Sequence, residues 1–500
     1  MNDPAPADDF STVPADSQKL TFSTKLAYGA GDLGAAITSN ILVFYLSPFL
    51  TDVAGLQPGL AGISQLIGKI WDAVNDPLVG VLSDRTRSAW GRRYPWMILG
   101  AIPFGVFFAL HWIVPNFSLT GAIQQWTLFG YYTLVSIAFN MFYTVVNLPY
   151  TALTPELTQD YNERTSLNSF RFAFSIGGSI LSVIVFGIII GLIPHSQQQQ
   201  YWVMGLVLAA FSVLPIYWCV WGTRKRAAAV STQRVALEEP VSMPFGQQLR
   251  IILANRPFLF VVGIYLCSWL SVQFTGAAIP YFVRSWMRPS DDPQAIQQIT
   301  IQAIFVVQAT AMSMLFVWSA VSQKVGKKAV YFMGMTLWIV AQVFLFLLQP
   351  GQIGWMYFLA AIAGFGVSTA YLVPWSMLPD VIELDELRTG QRREGIFYSF
   401  MVFLQKVCLG IAVFLLLQSL GWAGYVKPTD LEPLPVQPDA VLLAIRLAIG
   451  PIPMISLLCG LVLNYFYPIT REAHAEILMQ LNERKAAQQR ASDSTANDEA

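Results

Sequence analysis

The chain has 500 residues, of which 55% are hydrophobic and 12% are charged, and its mean hydropathy is +0.51. This composition excludes a disordered chain and argues against a soluble globular protein. The 30 basic and 30 acidic residues give a formal net charge of zero, so the charge balance points to no nucleic-acid partner. We therefore expect a membrane protein.

The cysteine and histidine residues indicate neither disulfides nor a metal centre. The four cysteines lie in apolar runs without a CxxC spacing, and the three histidines are scattered along the chain. The sequence contains no catalytic triad and no phosphate-binding loop, so we expect no enzyme activity and no cofactor besides a coupling ion. The first two dozen residues lack the basic flank and apolar core of a signal peptide, which predicts a cytoplasmic start.

Apolar runs of about 20 residues predict about twelve membrane-spanning helices. Glycine and proline interrupt several of these runs, which is typical of helices that line a transport pathway. The predicted spans are 26–50, 60–83, 95–114, 125–149, 168–193, 201–221, 257–283, 300–322, 329–349, 353–377, 396–420 and 441–467.

Lysine and arginine are unevenly distributed between the two sets of loops. Most of them follow the second, fourth, eighth and tenth spans or lie in the central loop, whereas the opposite loops hold only Arg284, Arg288 and Lys427. Basic residues are enriched in cytoplasmic loops. This asymmetry predicts that both termini and the central loop are cytoplasmic.

The sequence also repeats itself. The segment Leu148–Glu156 (LPYTALTPE) recurs as Val373–Asp380 (VPWSMLPD), and Trp90–Arg93 (WGRR) has an echo in Val325–Lys328 (VGKK). The matches fall at corresponding span ends, which predicts two parallel six-helix halves, as in transporters that rock two halves around a central site.

This repeat gives the predicted domain organisation. A cytoplasmic N-terminal segment (1–24) precedes the first half (25–222), a cytoplasmic central loop (223–255) leads to the second half (256–468), and a cytoplasmic tail (469–500) follows. The tail pattern predicts an amphipathic helix that frays into a disordered end, and we expect it to be a solvated extension.

A cluster of polar residues lies inside the second predicted span. Asp72, Asn75 and Asp76 are spaced i, i+3 and i+4, so they point from one side of a helix, with Lys69 one turn earlier. Charged side chains at bilayer depth cost roughly 2.5–3.5 kcal/mol each and normally face a bundle interior or a watery cavity. Because a hard cation prefers oxygen ligands, we interpret the cluster as a cation or proton site. A structural network in which Lys69 neutralises one acid is the alternative.

Further polar residues are candidates for substrate binding. Asp32 lies among glycines that would let a helix or a substrate approach, so it is either a substrate or coupling group or a structural acid. Tyr143, Asn147 and Thr151 share one stripe of the fourth span. They could bind substrate hydroxyls or complete an ion shell, with helix–helix packing as the alternative.

Two isolated bases and one tryptophan complete the candidates. Arg171 could pair with Glu156 or Asp32, or bind an anionic group of a ligand. Lys406 has no acid nearby in the sequence, so it requires a partner across the bundle or in the ligand. Trp375 could stack on a sugar ring, whereas tryptophan is more often found in the interfacial aromatic belt.

These motifs resemble those of the glycoside–pentoside–hexuronide:cation symporters of the major facilitator superfamily. The resemblance is densest over Tyr45–Trp96, which includes Leu50-Thr51-Asp52 and the cluster around Asp72. Segments 149–171 and 388–395 are similar to two further signatures of that family. The resemblance spans nearly the whole chain.

The resemblance implies an all-α membrane protein with the major facilitator fold, in which about twelve helices form two pseudo-symmetric halves. Three bases would help to shape the cavity: Lys69, Arg171 and Lys406. A sodium or proton site would be formed by four residues of the second and fourth spans: Asp72, Asn75, Asp76 and Thr144.

The substrate does not carry over from the resemblance. In family members that transport sugars, acids on the first and fourth helices hold the sugar and a tryptophan stacks on it, and our pairing places Ala36, Asn147 and Thr151 at those positions. The related animal sodium-dependent lysophospholipid symporters keep the cation motif, and segments 111–117 and 374–380 are similar to that branch.

Our leading hypothesis is therefore a cation-coupled symporter that moves a sugar or glycoside across the inner or plasma membrane by alternating access. The alternative is a sodium-dependent lysophospholipid symporter, and a membrane sensor or enzyme on the same fold is a third possibility without a supporting motif. We expect a small-molecule substrate, a monovalent cation and membrane lipid as partners, no nucleic acid, and a monomer.

Overall fold

The computed structural model describes residues 19–498 except 159–160, 194–195, 233–244, 392 and 430–431, and this part of the chain is helical without strands. Twelve long helices follow one another, with a break at Gly31 and Asp32 inside the first and another at Gly450 inside the twelfth. We label them α1 (Phe22–Leu46), α2 (Pro58–Arg85), α3 (Tyr94–Leu110), α4 (Gly121–Thr151), α5 (Tyr161–Leu192), α6 (Gln197–Thr232), α7 (Arg256–Met287), α8 (Pro293–Val325), α9 (Lys327–Leu347), α10 (Ile353–Thr389), α11 (Glu394–Trp422) and α12 (Asp439–Phe466).

Ten of these helices are long and apolar enough to cross a membrane. The other two are α3, which is apolar but has only 17 residues, and α2, which carries Lys69, Asp72 and Asp76 in its middle. The candidate cation cluster thus lowers the apolar character of the helix that holds it. The prediction of about twelve helices is confirmed for the described residues. Most predicted boundaries lie within a few positions of the helix ends, but α10 and α6 continue 12 and 11 residues past their predicted ends at 377 and 221.

The two halves, α1–α6 and α7–α12, meet along matching pairs of helices. The second helix packs along α11, α5 packs along α8, and the end of α1 packs along α7. One buried apolar cluster runs through the first half into α7 and α11, and a second fills the other half. This arrangement places the polar face of α2 between the two halves.

The repeated sequence motifs meet each other within each half. Arg92 and Arg93, in the turn before α3, lie 2.6 and 3.4 Å from the carboxylate of Glu156, which follows α4. Lys327, at the start of α9, lies 2.7 Å from Asp380 of α10. Within each half, a base of the first repeated motif (WGRR or VGKK) therefore pairs with the acid that ends the second (LPYTALTPE or VPWSMLPD).

The tail departs from the expected solvated extension. It forms a helix, Arg471–Asp498, whose Ile477 and Leu481 are buried. His474 lies 2.6 Å from Glu383 and 3.3 Å from Asp380, both on α10. Although the three histidines are scattered along the sequence, one of them thus forms a cluster with two acids. The first turns of the tail are therefore packed against the second half.

Two helical segments lie within the predicted central loop. The sixth helix continues to Thr232, and a ten-residue helix covers Phe245–Ala254. Residues 233–244 lie outside the described part, and the predicted domain boundaries remain predictions.

Candidate functional site

Asp72 and Asp76 form the centre of the site, where α2 meets α4 and α11. The Lys406 ammonium lies 2.9 Å from Asp72 Oδ1 and 2.6 Å from Asp76 Oδ2. The Thr144 hydroxyl lies 2.9 Å from Asp76 Oδ1 and 3.2 Å from Asp72 Oδ1. A single ammonium group therefore pairs with two carboxylates, and one hydroxyl bonds to both of these carboxylates.

The close approach of α11 to α2 depends on a small residue. A Cβ atom at Gly410 would lie 3.0 Å from Lys69 Cβ and 3.1 Å from Leu66 Cδ1. Glycine at this position lets the two backbones come close. The Lys406 side chain, one turn earlier on α11, thereby reaches the acids of α2.

The other two polar residues of α2 turn toward α4. The Lys69 ammonium donates to Asn140 Oδ1 at 3.0 Å and lies 3.8 Å from Asp72 Oδ2. The Asn75 amide donates to the Met141 carbonyl at 3.4 Å. The structure thus brings Asp72, Asp76 and Thr144 of the predicted cation residues together, whereas Asn75 contacts the backbone of α4.

Tyr143 connects this centre with the candidate substrate residues. Its hydroxyl lies beside Ser39 of α1 and close enough to Asp72, Lys406 and Asp32 to interact with all three electrostatically. The Asn147 amide donates to the same hydroxyl at 3.5 Å, at the weak end of hydrogen-bonding geometry.

Asp32 and Arg171 lie together on α1 and α5. Asp32 lies near Ser175 and within electrostatic reach of Arg171, whose guanidinium also lies 5.1 Å from the ring of Phe172. Of the two predicted acid partners of Arg171, Asp32 is near enough to interact at a distance, and Glu156 accepts from Arg92.

Two predicted substrate residues lie apart from this group. The Thr151 hydroxyl donates to the Leu148 carbonyl of its own helix at 2.9 Å. Trp375 packs with Tyr265 and Tyr398, with ring centroids 5.7 and 6.1 Å away, in an aromatic cluster of the second half. The structure does not bring either residue to the acid pair.

The sequence analysis did not predict a polar cluster that joins the two halves at the predicted extracellular end. We call this cluster of Asp52, Arg284 and Tyr425 the lock. The Asp52 carboxylate accepts from Arg284 Nη1 at 2.7 Å and from Tyr425 at 2.8 Å. Thr51, beside it, bonds to Tyr281 at 3.0 Å. Arg284 was one of the few bases in the predicted outside loops, and that isolation was the available signal.

Comparison with known proteins identifies the family. Residues 27–471 match the family model described as MFS/sugar transport protein. The chain is 47% identical to an uncharacterised symporter of Synechocystis, over 94% of this chain and 98% of that protein. It is 27% identical to the putative glycoside/cation symporter YagG of Escherichia coli, over 94% of this chain and 97% of that one. It is also 27% identical to the sodium-dependent lysophosphatidylcholine symporter 1-A of Danio rerio, over 91% of this chain and 87% of that one.

Solved structures agree with the fold. The nucleoside transporter NupG superposes with a TM-score of 0.61 at 11% identity, covering 90% of this chain and all of that one. A D-xylose–proton symporter gives a TM-score of 0.58 at 15% identity, covering 89% and 97%. The chain is a multi-pass integral membrane protein with the major facilitator fold, and it belongs to the MFS/sugar transport protein family of membrane transporters.

Proposed function

We propose that this protein is a cation-coupled symporter of a glycoside, in which a sodium ion or a proton displaces the Lys406 ammonium from Asp72 and Asp76. The contact of Lys406 with both acids, at 2.9 and 2.6 Å, is the observation that carries the proposal. The symporter relatives, one of them a putative glycoside/cation symporter, support the same reaction class.

Electrostatics explains why such a displacement would couple ion and substrate. Removing one partner of a buried ion pair leaves an uncompensated charge, which costs about 3–5 kcal/mol. Without the ion, Lys406 compensates Asp72 and Asp76; with the ion in place, its ammonium is released toward the space between the halves. Because coupling is reciprocal, the substrate that uses this rearranged cavity must raise ion affinity by the same factor.

The orientation of the lock supports alternating access. Asp52, Arg284 and Tyr425 hold the halves together at the end predicted to be extracellular. We propose that this is the outward-closed state of a monomer in the inner membrane, with both termini cytoplasmic. The membrane potential would contribute about 2.3 kcal/mol per charge per 100 mV to inward ion movement.

The test is neutralisation of the acid pair. Asp72→Asn and Asp76→Asn should abolish ion-dependent stabilisation of the purified protein and coupled uptake into vesicles, while membrane insertion persists. Asp84→Asn is the matched control, because Asp84 lies on the same helix but pairs with Arg93. Normal ion-dependent uptake by both acid-pair variants contradicts the proposal. A response to pH but not to sodium would assign the proton as the coupling ion.

One observation favours a second candidate, a sodium-dependent lysophospholipid symporter. An apolar cavity of about 460 Å³ lies between α5 and α8, lined by residues such as Val183, Ile184, Phe305 and Val306. An acyl chain would fit such a lining. Titrating sodium-dependent stabilisation with p-nitrophenyl glycosides and with lysophosphatidylcholine separates the candidates, because only the true substrate class should enhance the sodium effect. Undiminished lipid uptake by Lys406→Ala would count against the lipid candidate.

A further inference from the structure

A second group of polar side chains lies at membrane depth where α1, α5 and α8 meet. Asn40 Oδ1 is contacted by the Ser182 hydroxyl at 3.1 Å and by the Gln308 amide at 3.5 Å. Ser39, next to Asn40, is exposed. We call these four residues the amide patch: Ser39, Asn40, Ser182 and Gln308. The patch bridges the halves, because α1 and α5 belong to one and α8 to the other.

The amide patch is under-satisfied as it stands. The single proton of the Ser182 hydroxyl is shared between Asn40 and the Ser179 carbonyl, which is nearer at 2.7 Å. The contact with Gln308 is at the outer limit of hydrogen-bonding distance. Within the described part of the chain, neither Asn40 Nδ2 nor Gln308 Oε1 has a protein partner, and neither atom is fully buried.

Such an arrangement leaves hydrogen-bonding groups free for a ligand. Asn40 and Gln308 are half-buried and Ser39 is exposed, so the free donor and acceptor are accessible and yet partly withdrawn from water, where a hydrogen bond to a ligand stabilises more than at a fully exposed site. Helix packing alone would be served as well by apolar side chains. We infer that the amide patch binds the substrate, and this inference rests on the proposed function of the Asp72–Asp76 site.

The hydrogen-bonding groups of the amide patch indicate which chemical group of the substrate it binds. Together the two carboxamides leave one donor, Asn40 Nδ2, and one acceptor, Gln308 Oε1, and they carry no charge, so they match adjacent hydroxyls of a pyranose ring. A phosphate would require donors of positive charge, and an acyl chain would leave both amides without partners. The amide patch therefore recognises a neutral polyhydroxylated part of the substrate.

The position of the patch gives the contact a role in coupling. Ser39 lies beside the hydroxyl of Tyr143, which in turn lies within electrostatic reach of Asp72 and Lys406. A sugar held between Asn40 and Gln308 would strengthen the weak contact between the halves beside the cation site. The amide patch thus joins substrate binding to closure of the two halves.

The experiment measures the apparent affinity for p-nitrophenyl glycosides from thermal stabilisation of the purified full-length protein in sodium. Gln308→Leu and Asn40→Leu should each weaken this affinity about tenfold, the effect of one lost hydrogen bond that leaves its partner unsatisfied. Gln298→Leu is the matched control. It is the same change on the same helix and removes a bond that also crosses to α5, from Gln298 to the Gly187 carbonyl at 3.1 Å.

Stabilisation by sodium alone, measured on the same samples, reports whether each variant is folded and keeps its cation site. Unchanged sodium stabilisation with weakened glycoside binding in the two patch variants, but not in Gln298→Leu, supports the inference. Glycoside binding as strong as in the wild type, or weakened equally in Gln298→Leu, overturns it while leaving the proposed function intact. A wild type that responds to sodium but to no glycoside overturns both this inference and the glycoside assignment.

Discussion

Among single residues, Thr144 offers the sharpest test of the cation site. Its hydroxyl is buried and contacts both acids, at 2.9 and 3.2 Å, so it is placed to serve as a neutral ligand. Thr144→Val keeps the shape and removes the oxygen, and we expect ion affinity to fall about tenfold, as for one lost hydrogen bond. The measurement is a sodium titration of thermal stabilisation. Thr144→Ser should titrate like the wild type, and a Val variant that did the same would exclude a ligand role.

At this scale the sequence predicted the two acids, and it predicted that Lys406 needs a partner across the bundle or in the ligand, but it did not predict that they meet each other. The spacing of Asp72 and Asp76 placed both carboxylates on one face of α2 because helical geometry is local. Lys406 is 334 positions away from Asp72, so only the packing of α11 on α2 decides that they meet. Asn75 lies at the edge of the same face, and its amide donates to the Met141 carbonyl of α4. Helical spacing alone could not predict this hydrogen-bond partner.

Among elements, the glycines at the start of α1 explain how the first half is packed. A Cβ atom at Gly34 would collide with the backbone of Ser212 on α6. The structure thus assigns this small residue to helix packing, whereas the sequence left a substrate approach open.

Adding a single methyl group at Gly34 would test the close approach of α1 to α6. Gly34→Ala should lower stability by about 1–3 kcal/mol, because backbone cannot move aside as a flexible side chain can. Gly177→Ala on α5 is the control, since its added Cβ meets nothing within 4 Å and alanine favours a helix by roughly 0.5–1 kcal/mol. Apparent melting temperatures of the purified variants compare the two. Equal melting temperatures would mean that α6 can shift away without cost.

The helices themselves were predictable, because apolar length and the repeated motifs are properties of the sequence. The pairing of Arg92 with Glu156 and of Lys327 with Asp380 shows that the repeat reflects matched structure in the two halves. The docked tail was not predictable, because burial of Ile477 depends on a surface of α10 that forms only in the folded bundle.

For the whole molecule, the balance between the outward-closed and the outward-open state depends on contacts that exist in only one of these two states. The halves share the Lys406 contacts near mid-membrane and the Asp52 lock at the predicted extracellular end. Removing one partner of a buried ion pair costs about 3–5 kcal/mol. Shifting a two-state equilibrium from 99:1 to 1:99 takes about 5.5 kcal/mol, and equal populations are reached after about half of that. Because about 3–5 kcal/mol exceeds this half, the loss of one lock residue is enough to change which state dominates an equilibrium of that size.

Asp52→Asn should consequently open the predicted extracellular end. A reporter cysteine at Ile296, which is 3% exposed and lines a small cavity beside the lock, would be introduced after the native cysteines are replaced by alanine. A membrane-impermeant maleimide added from outside should label it several-fold faster in the Asp52→Asn background, and Tyr425→Phe, which removes one bond, should act less strongly in the same direction. Asp291→Asn, at an exposed pair with Arg288, should leave the rate unchanged. Equal labelling in all backgrounds would show that the lock does not hold the outward-closed state, and the ion pair would then serve stability alone.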